Sequence, residues 1–307
     1  MAPRPLIIDC DPGQDDAVAL LMAFASPVAF DLLGVTTVGG NVSIERTSAN
    51  ARAIRELAGR PDVPVFAGCG GPLKRALETA EAVHGASGID GANVADPIWP
   101  LDERHAVDFL VETLTAAEEG SVTLATLGPL TNLATAFERA PQAMAGVREI
   151  VAMGGSTGKG NVTPHAEYNI HTDPEAANVV YRAGLAITMI GSNLTHQVMA
   201  TPERCTAIRA VGGAASDAVA GMLEFYGARK TGLAGAPMHD PCVIAYLLQP
   251  ELFKGRDMRV EIVTDDGAEL GRTRCGDGGT ANARVLETAD ADGFFDLLLD
   301  KLAGLKG

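Results

Sequence analysis

The sequence is poor in basic residues and in long apolar runs. Its 24 lysines and arginines are outnumbered by 39 aspartates and glutamates, which leaves a formal charge of -15. Such a chain repels phosphate backbones and anionic membrane surfaces, so we expect neither nucleic-acid binding nor membrane association. The longest apolar stretch, Ala17 to Ala25, is much too short to cross a bilayer.

Cysteine is also scarce. The five cysteines are odd in number and scattered, and no two lie close enough to indicate a zinc knuckle or a disulfide framework. A reducing compartment suits such a chain. Residues 1–8 lack the basic and apolar segments of a signal peptide, so we expect a cytoplasmic protein.

What the chain does have is enough apolar sequence for a large core. Of its 307 residues, 47% are hydrophobic, and no internal repeat, low-complexity tract or Pro/Ser-rich linker is visible. We therefore predict a single domain spanning residues 1–307.

Short apolar runs alternate with segments rich in Ala, Leu, Glu and Arg, a pattern typical of βα units that form a parallel sheet. The predicted class is α/β, with a mostly parallel, Rossmann-like central sheet flanked by helices. Residues 260–289 alternate apolar and polar side chains around glycine turns and predict a small antiparallel addition near the C-terminus. The predicted strands are Leu6 to Asp9, Leu32 to Val38, Val63 to Ala67, Thr123 to Leu127, Ile150 to Met153 and Ile187 to Ile190. The predicted helices include Ala17 to Ala25, Ile44 to Ala58, His105 to Ala117, Leu130 to Arg139, Pro174 to Ala183 and Pro241 to Leu248.

An aspartate cluster follows the first predicted strand. Asp9 and Asp11 are two residues apart, and Asp15 and Asp16 fall at the start of the next helix, where the helix dipole stabilises negative charge. A single aspartate here would more often be a helix cap. Carboxylates crowded at the end of a buried strand repel one another unless a cation or a shared proton compensates, so a hard cation such as Ca²⁺ or Mg²⁺ is indicated.

The motif DCDPGQDD at residues 9–16 resembles the N-terminal fingerprint of the inosine/uridine-type nucleoside hydrolases. The resemblance covers nearly the whole chain. Further matching stretches are TTVGGN at 36–41, VHGASG at 83–88, LGPLTN at 127–132, MGG at 153–155, AEYN at 166–169, DPEA at 173–176 and HDP at 239–241. It implies the nucleoside hydrolase fold and an N-ribohydrolase that converts a nucleoside and water into ribose and a free base.

The resemblance implies roles for particular residues. The Ca²⁺ cofactor would be bound by Asp11, by both oxygens of Asp16, by Asp240 and by the backbone carbonyl of Leu127. Oxygen donors of this kind suit Ca²⁺ rather than zinc. Asp11 would also be the catalytic base that activates water. The ribose would be bound by Asp15, Asn41, Asn161, Glu167 and Asn169, with Met153 nearby.

Two histidines match functional positions in the family. His239 would protonate the leaving base, and His84 would contact the base or help to close the pocket. Each assignment has a plainer alternative: Asp240 as a helix cap before Pro241, Met153 as core packing, and the polar and histidine positions as hydrated or structural residues.

The sequence departs from the family in two places. The segment between Phe225 and Met238 is short and lacks the second tyrosine that often flanks the base, and Asn193 stands where relatives usually carry Asp. The stretch GAPMHDPC at 235–242 is similar to pyrimidine-preferring bacterial members, which favours uridine and cytidine over inosine.

Two other classes of function stay open at this point. One is a non-enzymatic protein that binds ribose or a nucleoside, although Asp11, Asp16 and Asp240 argue against it. The other is a metal-dependent phosphotransferase or phosphatase with an aspartate nucleophile, but no lysine or arginine cluster near the motifs supports it. Family members are usually dimers or tetramers, so we expect a homodimer or homotetramer.

Overall fold

The computed structural model describes residues 2–230 and 232–305. In them the chain forms a nine-stranded sheet and a separate two-stranded ribbon. The strands are β1 (Arg4–Cys10), β2 (Phe30–Thr37), β3 (Val65–Ala67), β4 (Val122–Thr126), β5 (Val147–Met153), β6 (Ile187–Ile190), β7 (Met199–Ala200), β8 (Ala236–Pro237), β9 (Phe253–Ile262), β10 (Thr273–Gly276) and β11 (Ala283–Ala289).

The large sheet has the order β10-β9-β11-β6-β5-β4-β1-β2-β3. Every pair from β11 through β3 is parallel, whereas β9 and β10 are antiparallel to their neighbours. The predicted α/β class with a mostly parallel sheet and a small C-terminal antiparallel addition is therefore confirmed.

Helices cover both faces of this sheet. They are α1 (Gln14–Phe24), α2 (Ile44–Leu57), α3 (Glu81–His84), α4 (Ala106–Ala116), α5 (Thr131–Arg139), α6 (Tyr168–Thr172), α7 (Pro174–Tyr181), α8 (Ser192–Thr195), α9 (Pro202–Val211), α10 (Ala214–Arg229), α11 (Pro241–Leu248) and α12 (Ala291–Ala303). No helix in the described ranges is both long enough and apolar enough to cross a membrane.

Strand β1 lies inside the sheet, between β4 and β2. Its side chains alternate between two cores: Leu6 and Ile8 join the core beneath α1 and α11, and Ile7 joins the core beneath α4 and α5. Because both faces are covered, the strand is apolar along most of its length. After Arg4, the next polar side chain on it is Asp9, near its carboxyl end.

Candidate active site

Asp16 organises the turn between β1 and α1. Its Oδ1 accepts a hydrogen bond from the backbone N–H of Asp11 at 3.1 Å, and its Oδ2 accepts one from the N–H of Gly13 at 3.0 Å. Gly13 is the N-cap of α1, so Asp16 occupies the third position of the helix, where free N–H groups stabilise a carboxylate. The capping alternative for this aspartate therefore describes part of its role.

Asp11 lies at the bottom of the site with one oxygen satisfied. Its Oδ2 accepts a hydrogen bond from the backbone N–H of Asn41 at 2.7 Å. Its Oδ1 is buried and has no hydrogen-bond partner among the described residues. Two glycines, Gly40 and Gly128, pack so closely on this carboxylate that a Cβ on either would collide with it. A buried carboxylate oxygen without a hydrogen-bond partner is costly unless a ligand satisfies it.

Asp240 brings a further carboxylate from the far end of the chain. It lies at the start of α11, and oxygens of Asp15, Asp16 and Asp240 lie within 4.8 Å of one another. All three residues are buried. An acidic cluster that could hold a metal ion is thus present, assembled from two segments more than two hundred residues apart.

Burial and mutual repulsion shift the pKa values of the carboxylates in this cluster. Burial raises the pKa of Asp11 and of Asp240 well above their usual range, and the neighbouring carboxylates add to both shifts. Burial, together with Asp16, raises the pKa of Asp15 to about 7. Without a cation, these side chains hold protons more tightly than isolated aspartates do.

Asp9 belongs to the support of the site. Its Oδ1 accepts hydrogen bonds from Thr36 Oγ1 at 2.5 Å and Asn132 Nδ2 at 2.8 Å. Asn132 also donates to the carbonyl of Thr37 at 3.0 Å and accepts from the N–H of Cys69 at 2.9 Å. Asp9 therefore connects β1 to β2 and α5.

A cavity of about 480 Å³ opens above the cluster. Asp11 and Asp16 lie beneath its wall. The other residues selected from the sequence all line it: Asp15, Asn41, His84, Leu127, Met153, Asn161, Glu167, Asn169, His239 and Asp240. Residues from distant parts of the chain thus meet around one space at the carboxyl ends of the parallel strands, where ligands bind in such sheets.

Glu167 and Asn169 are ordered by backbone contacts. The carboxylate of Glu167 caps α6, accepting from the N–H groups of Asn169 and Ile170, and from Gly155 N at 2.8 Å. Asn169 Nδ2 donates to the carbonyl of Leu127 at 2.6 Å. The hydrated-loop alternative is wrong for this pair, because both side chains are buried. Asn161 is exposed, and its Oδ1 accepts from the N–H of Tyr168 at 2.9 Å.

The two selected histidines lie on the cavity wall in buried positions. His239 Nδ1 is hydrogen-bonded to Thr195 Oγ1 at 2.6 Å, and His84 Nδ1 to Gln14 Oε1 at 2.7 Å. Burial lowers the pKa of His84 to about 3 and that of His239 well below its usual range, so both rings are neutral near pH 7. Because Gln14 Oε1 can only accept, the proton of His84 is on Nδ1 and its Nε2 is an acceptor. His239 can donate from Nε2 when its Nδ1 accepts from the Thr195 hydroxyl.

Several cavity residues were not selected from the sequence. Tyr168 donates from its hydroxyl to the carbonyl of Gly40 at 2.8 Å, which connects the α6 turn to the loop after β2. Tyr226 and Lys230 also line the cavity. Tyr168 lies inside the AEYN motif and Lys230 inside the unusual 225–238 segment, so the sequence contained a feature that could have indicated each of them. Asn193 does not line the cavity; its Oδ1 accepts from the N–H of Thr157 at 3.1 Å.

Fold and site together define an α/β enzyme with an acidic cluster beneath a polar cavity at the carboxyl edge of a parallel sheet. The sequence model of the inosine-uridine preferring nucleoside hydrolases matches residues 6–296. The chain belongs to this family, whose members are hydrolases that act on N-glycosyl bonds. The family prediction and the enzyme prediction are confirmed.

Individual relatives agree over almost their whole length. The chain is 42% identical to a pyrimidine-specific ribonucleoside hydrolase, RihA, of a Shewanella species, covering 98% of this chain and 96% of that one. It is 39% identical to the pyrimidine-specific ribonucleoside hydrolase RihB of Escherichia coli, covering 99% and 98%. Among solved structures, a purine-preferring ribonucleoside hydrolase from Gardnerella vaginalis superposes with a TM-score of 0.92 at 30% identity, covering 99% of both chains.

Proposed function

We propose that this nucleoside hydrolase is a Ca²⁺-dependent N-ribohydrolase that prefers uridine and cytidine to inosine. The observation that carries the proposal is the buried Oδ1 of Asp11, which has no hydrogen-bond partner in the described part of the chain. The backbone N–H of Asp11 is hydrogen-bonded to Asp16, a member of the acidic cluster. A buried carboxylate oxygen without a partner, next to further carboxylates, suits a metal ligand or a catalytic base.

The donors present fit a hard divalent cation. Asp11, Asp16 and Asp240 would supply carboxylate oxygens, and Leu127 would supply its carbonyl, which has a second lone pair beside its bond to Asn169. Asp15 is near enough to share the ion or to face the sugar. When bound, the cation would neutralise the crowded charge and lower the pKa of a water molecule in the cavity.

The side chains of this protein then have separate tasks. Asp11 takes the proton of the attacking water through Oδ1, while its Oδ2 stays fixed by Asn41. Asp15, Asn41, Glu167 and Asn169 bind the ribose hydroxyls, with Asn161 near the open side and Met153 against the sugar. The carboxylates stabilise the positive charge that the ribose gains as the glycosidic bond breaks. His239, held by Thr195, faces the leaving base.

The preference for pyrimidines is supported by the relatives. RihA and RihB, at 42% and 39% identity, are both named as pyrimidine-specific, whereas the structural neighbour named as purine-preferring is 30% identical. We expect this chain to follow the more similar sequences.

Release of ribose from uridine, cytidine, inosine and adenosine tests the proposal, with and without a chelator. We expect activity with Ca²⁺, loss on chelation, and a kcat for Asp11→Asn lower by at least about 1000-fold because the base is removed. Asp217→Asn, an exposed aspartate on α10, is the matched control and should act as wild type. Binding of nucleosides without ribose release, or near-normal turnover by Asp11→Asn, would contradict the proposal.

A further inference from the structure

Lys230 directly follows α10 and reaches the cavity wall. Its Nζ lies 5.1 Å from the centre of the Tyr226 ring, and Tyr226 is in turn stacked on His84 with ring centres 5.1 Å apart. The lysine is half-buried, so its amine is not simply a solvated surface group. It occupies the same wall as the two histidines that face the cavity.

Lys230 contributes its positive charge to the cavity lining, where its ammonium also lies over the Tyr226 ring. Within residues 2–230 and 232–305 it takes part in no ion pair. Burial lowers the pKa of Lys230, and the charges of Asp15 and Glu167 oppose that shift. The charge of Lys230 also acts on His84 and His239. The charge of this one ammonium group therefore interacts with four residues that line the cavity.

The residues that line the cavity are of two chemical kinds. The proposed ribose ligands are carboxylates and amides, which stabilise the positive charge that develops on the sugar. The other kind is represented by Tyr226, His84, His239 and Lys230. A base that leaves from the ribose becomes electron-rich, and among these four groups Lys230 offers a full positive charge to meet it.

We propose that Lys230 binds the departing nucleobase: its ammonium donates a hydrogen bond to a carbonyl oxygen of the base and stabilises the negative charge that the base gains. The inference rests on the proposed ribohydrolase function. It assigns leaving-group stabilisation to a residue in the segment where this chain departs from its relatives. It also favours bases with a carbonyl beside the glycosidic nitrogen, as in uridine and cytidine.

Charge and protons balance in this step. The C1′–N bond breaks, its electron pair goes to the base, and the charge is delocalised onto the carbonyl oxygen that faces Lys230. Water supplies the hydroxyl group of C1′, and Asp11 receives the proton. Lys230 keeps its own protons, and the released base anion takes one from solvent.

A graded series of leaving groups tests this role. Uridine, 5-fluorouridine and 4-nitrophenyl β-ribofuranoside share the sugar, but their leaving groups are, in this order, progressively more stable as anions. The stabilisation that the enzyme must give to the leaving group therefore decreases along the series. The variants are Lys230→Met, which removes the charge, and Lys230→Arg, which keeps it. Lys254→Met, an exposed lysine on β9, is the matched control.

We expect Lys230→Met to lower kcat for uridine by about 100-fold and kcat for the nitrophenyl riboside by less than about threefold. The loss for 5-fluorouridine should lie between these values, and Lys230→Arg should recover most of the uridine activity. An equal loss on all three substrates, or no loss on uridine, overturns the proposal. If the wild type cleaves the nitrophenyl riboside but no nucleoside, the role of Lys230 is overturned while the catalytic cluster stands. If it cleaves neither, the proposed function itself fails.

Discussion

His84 is a titratable group that folding holds in its neutral form. Its ring is 6% exposed, bonds Gln14 and stacks on Tyr226. Burial, with a smaller contribution from the charge of Lys230, lowers its pKa from 6.5 to about 3. Between these two pH values the unfolded chain binds a proton at this position that the native protein does not, so native stability falls as the pH falls below 6.5.

We therefore predict that His84→Gln makes stability less sensitive to acid. Relative to the variant, the wild type should lose up to roughly 1.4 kcal/mol of unfolding free energy per pH unit below its unfolded pKa. Urea unfolding of both proteins at pH 7.5, 6.5 and 5.5 measures this difference. Contributions from other groups, such as Asp15, are common to both proteins and cancel. His165→Gln controls for loss of a less buried histidine; parallel wild-type and His84→Gln curves would refute the prediction.

At the residue scale, the sequence predicted those cavity residues that lie inside short polar motifs. Asp240 and Asn169 are examples, because their neighbours in the chain also match. Lys230 and Tyr226 were not predicted, since a lysine or tyrosine near the end of a helix is ordinary in any soluble protein. The fold places both side chains on the cavity wall, at and just after the C-terminal end of α10.

At the element scale, the predicted strands were mostly right because buried parallel strands are short apolar runs bounded by polar or glycine residues. Ile187 to Ile190 was predicted with its observed bounds, and β1 extends beyond the predicted Leu6 to Asp9 at both ends. Helix α10 was not predicted. It buries small residues such as Ala215, Ser216 and Ala218 on more than one side, and Gly221 interrupts its pattern, so no clear amphipathic period is visible.

The turn between β4 and α5 packs against the carboxylate of Asp11 through Gly128. A Cβ at this position would collide with the carboxylate of Asp11. We predict that Gly128→Ala displaces Asp11 or the carbonyl of Leu127, lowers kcat at least about tenfold and costs about 1–3 kcal/mol of stability, as overpacking does. Steady-state rates on uridine and urea unfolding measure the two effects.

Gly158 provides the matched control for that substitution. A Cβ there would meet no atom within 4 Å, and the residue lies in an exposed loop. Gly158→Ala should therefore keep wild-type activity and stability. If Gly128→Ala were as active as Gly158→Ala, the close packing of the β4–α5 turn on Asp11 would have no catalytic importance.

At the scale of the whole molecule, the acidic cluster brings together two segments that lie far apart in the sequence. Asp16 is in the first helix and Asp240 begins α11, and α1 and α11 pack against each other in one core. The cluster concentrates repulsion in a chain that already carries a formal charge of -15. A bound cation would reduce the repulsion within the cluster and the net negative charge of the protein. The single-domain organisation, the cytoplasmic location and the homodimer or homotetramer stay predictions.

This connection predicts that Ca²⁺ stabilises the entire fold, because the unfolded chain cannot bring Asp16 and Asp240 together. At a free concentration about 100 times the Kd, the gain should be roughly 2.7 kcal/mol, seen as a rise in Tm of chelator-treated protein. Asp240→Asn should lose most of that rise, whereas Asp217→Asn, an exposed aspartate on α10, should keep it. A rise in Tm with Mg²⁺ but not with Ca²⁺ would show that the site binds Mg²⁺. A full rise in Asp240→Asn would remove this residue from the metal site, since a ligand from the far end of the chain is what couples binding to global stability.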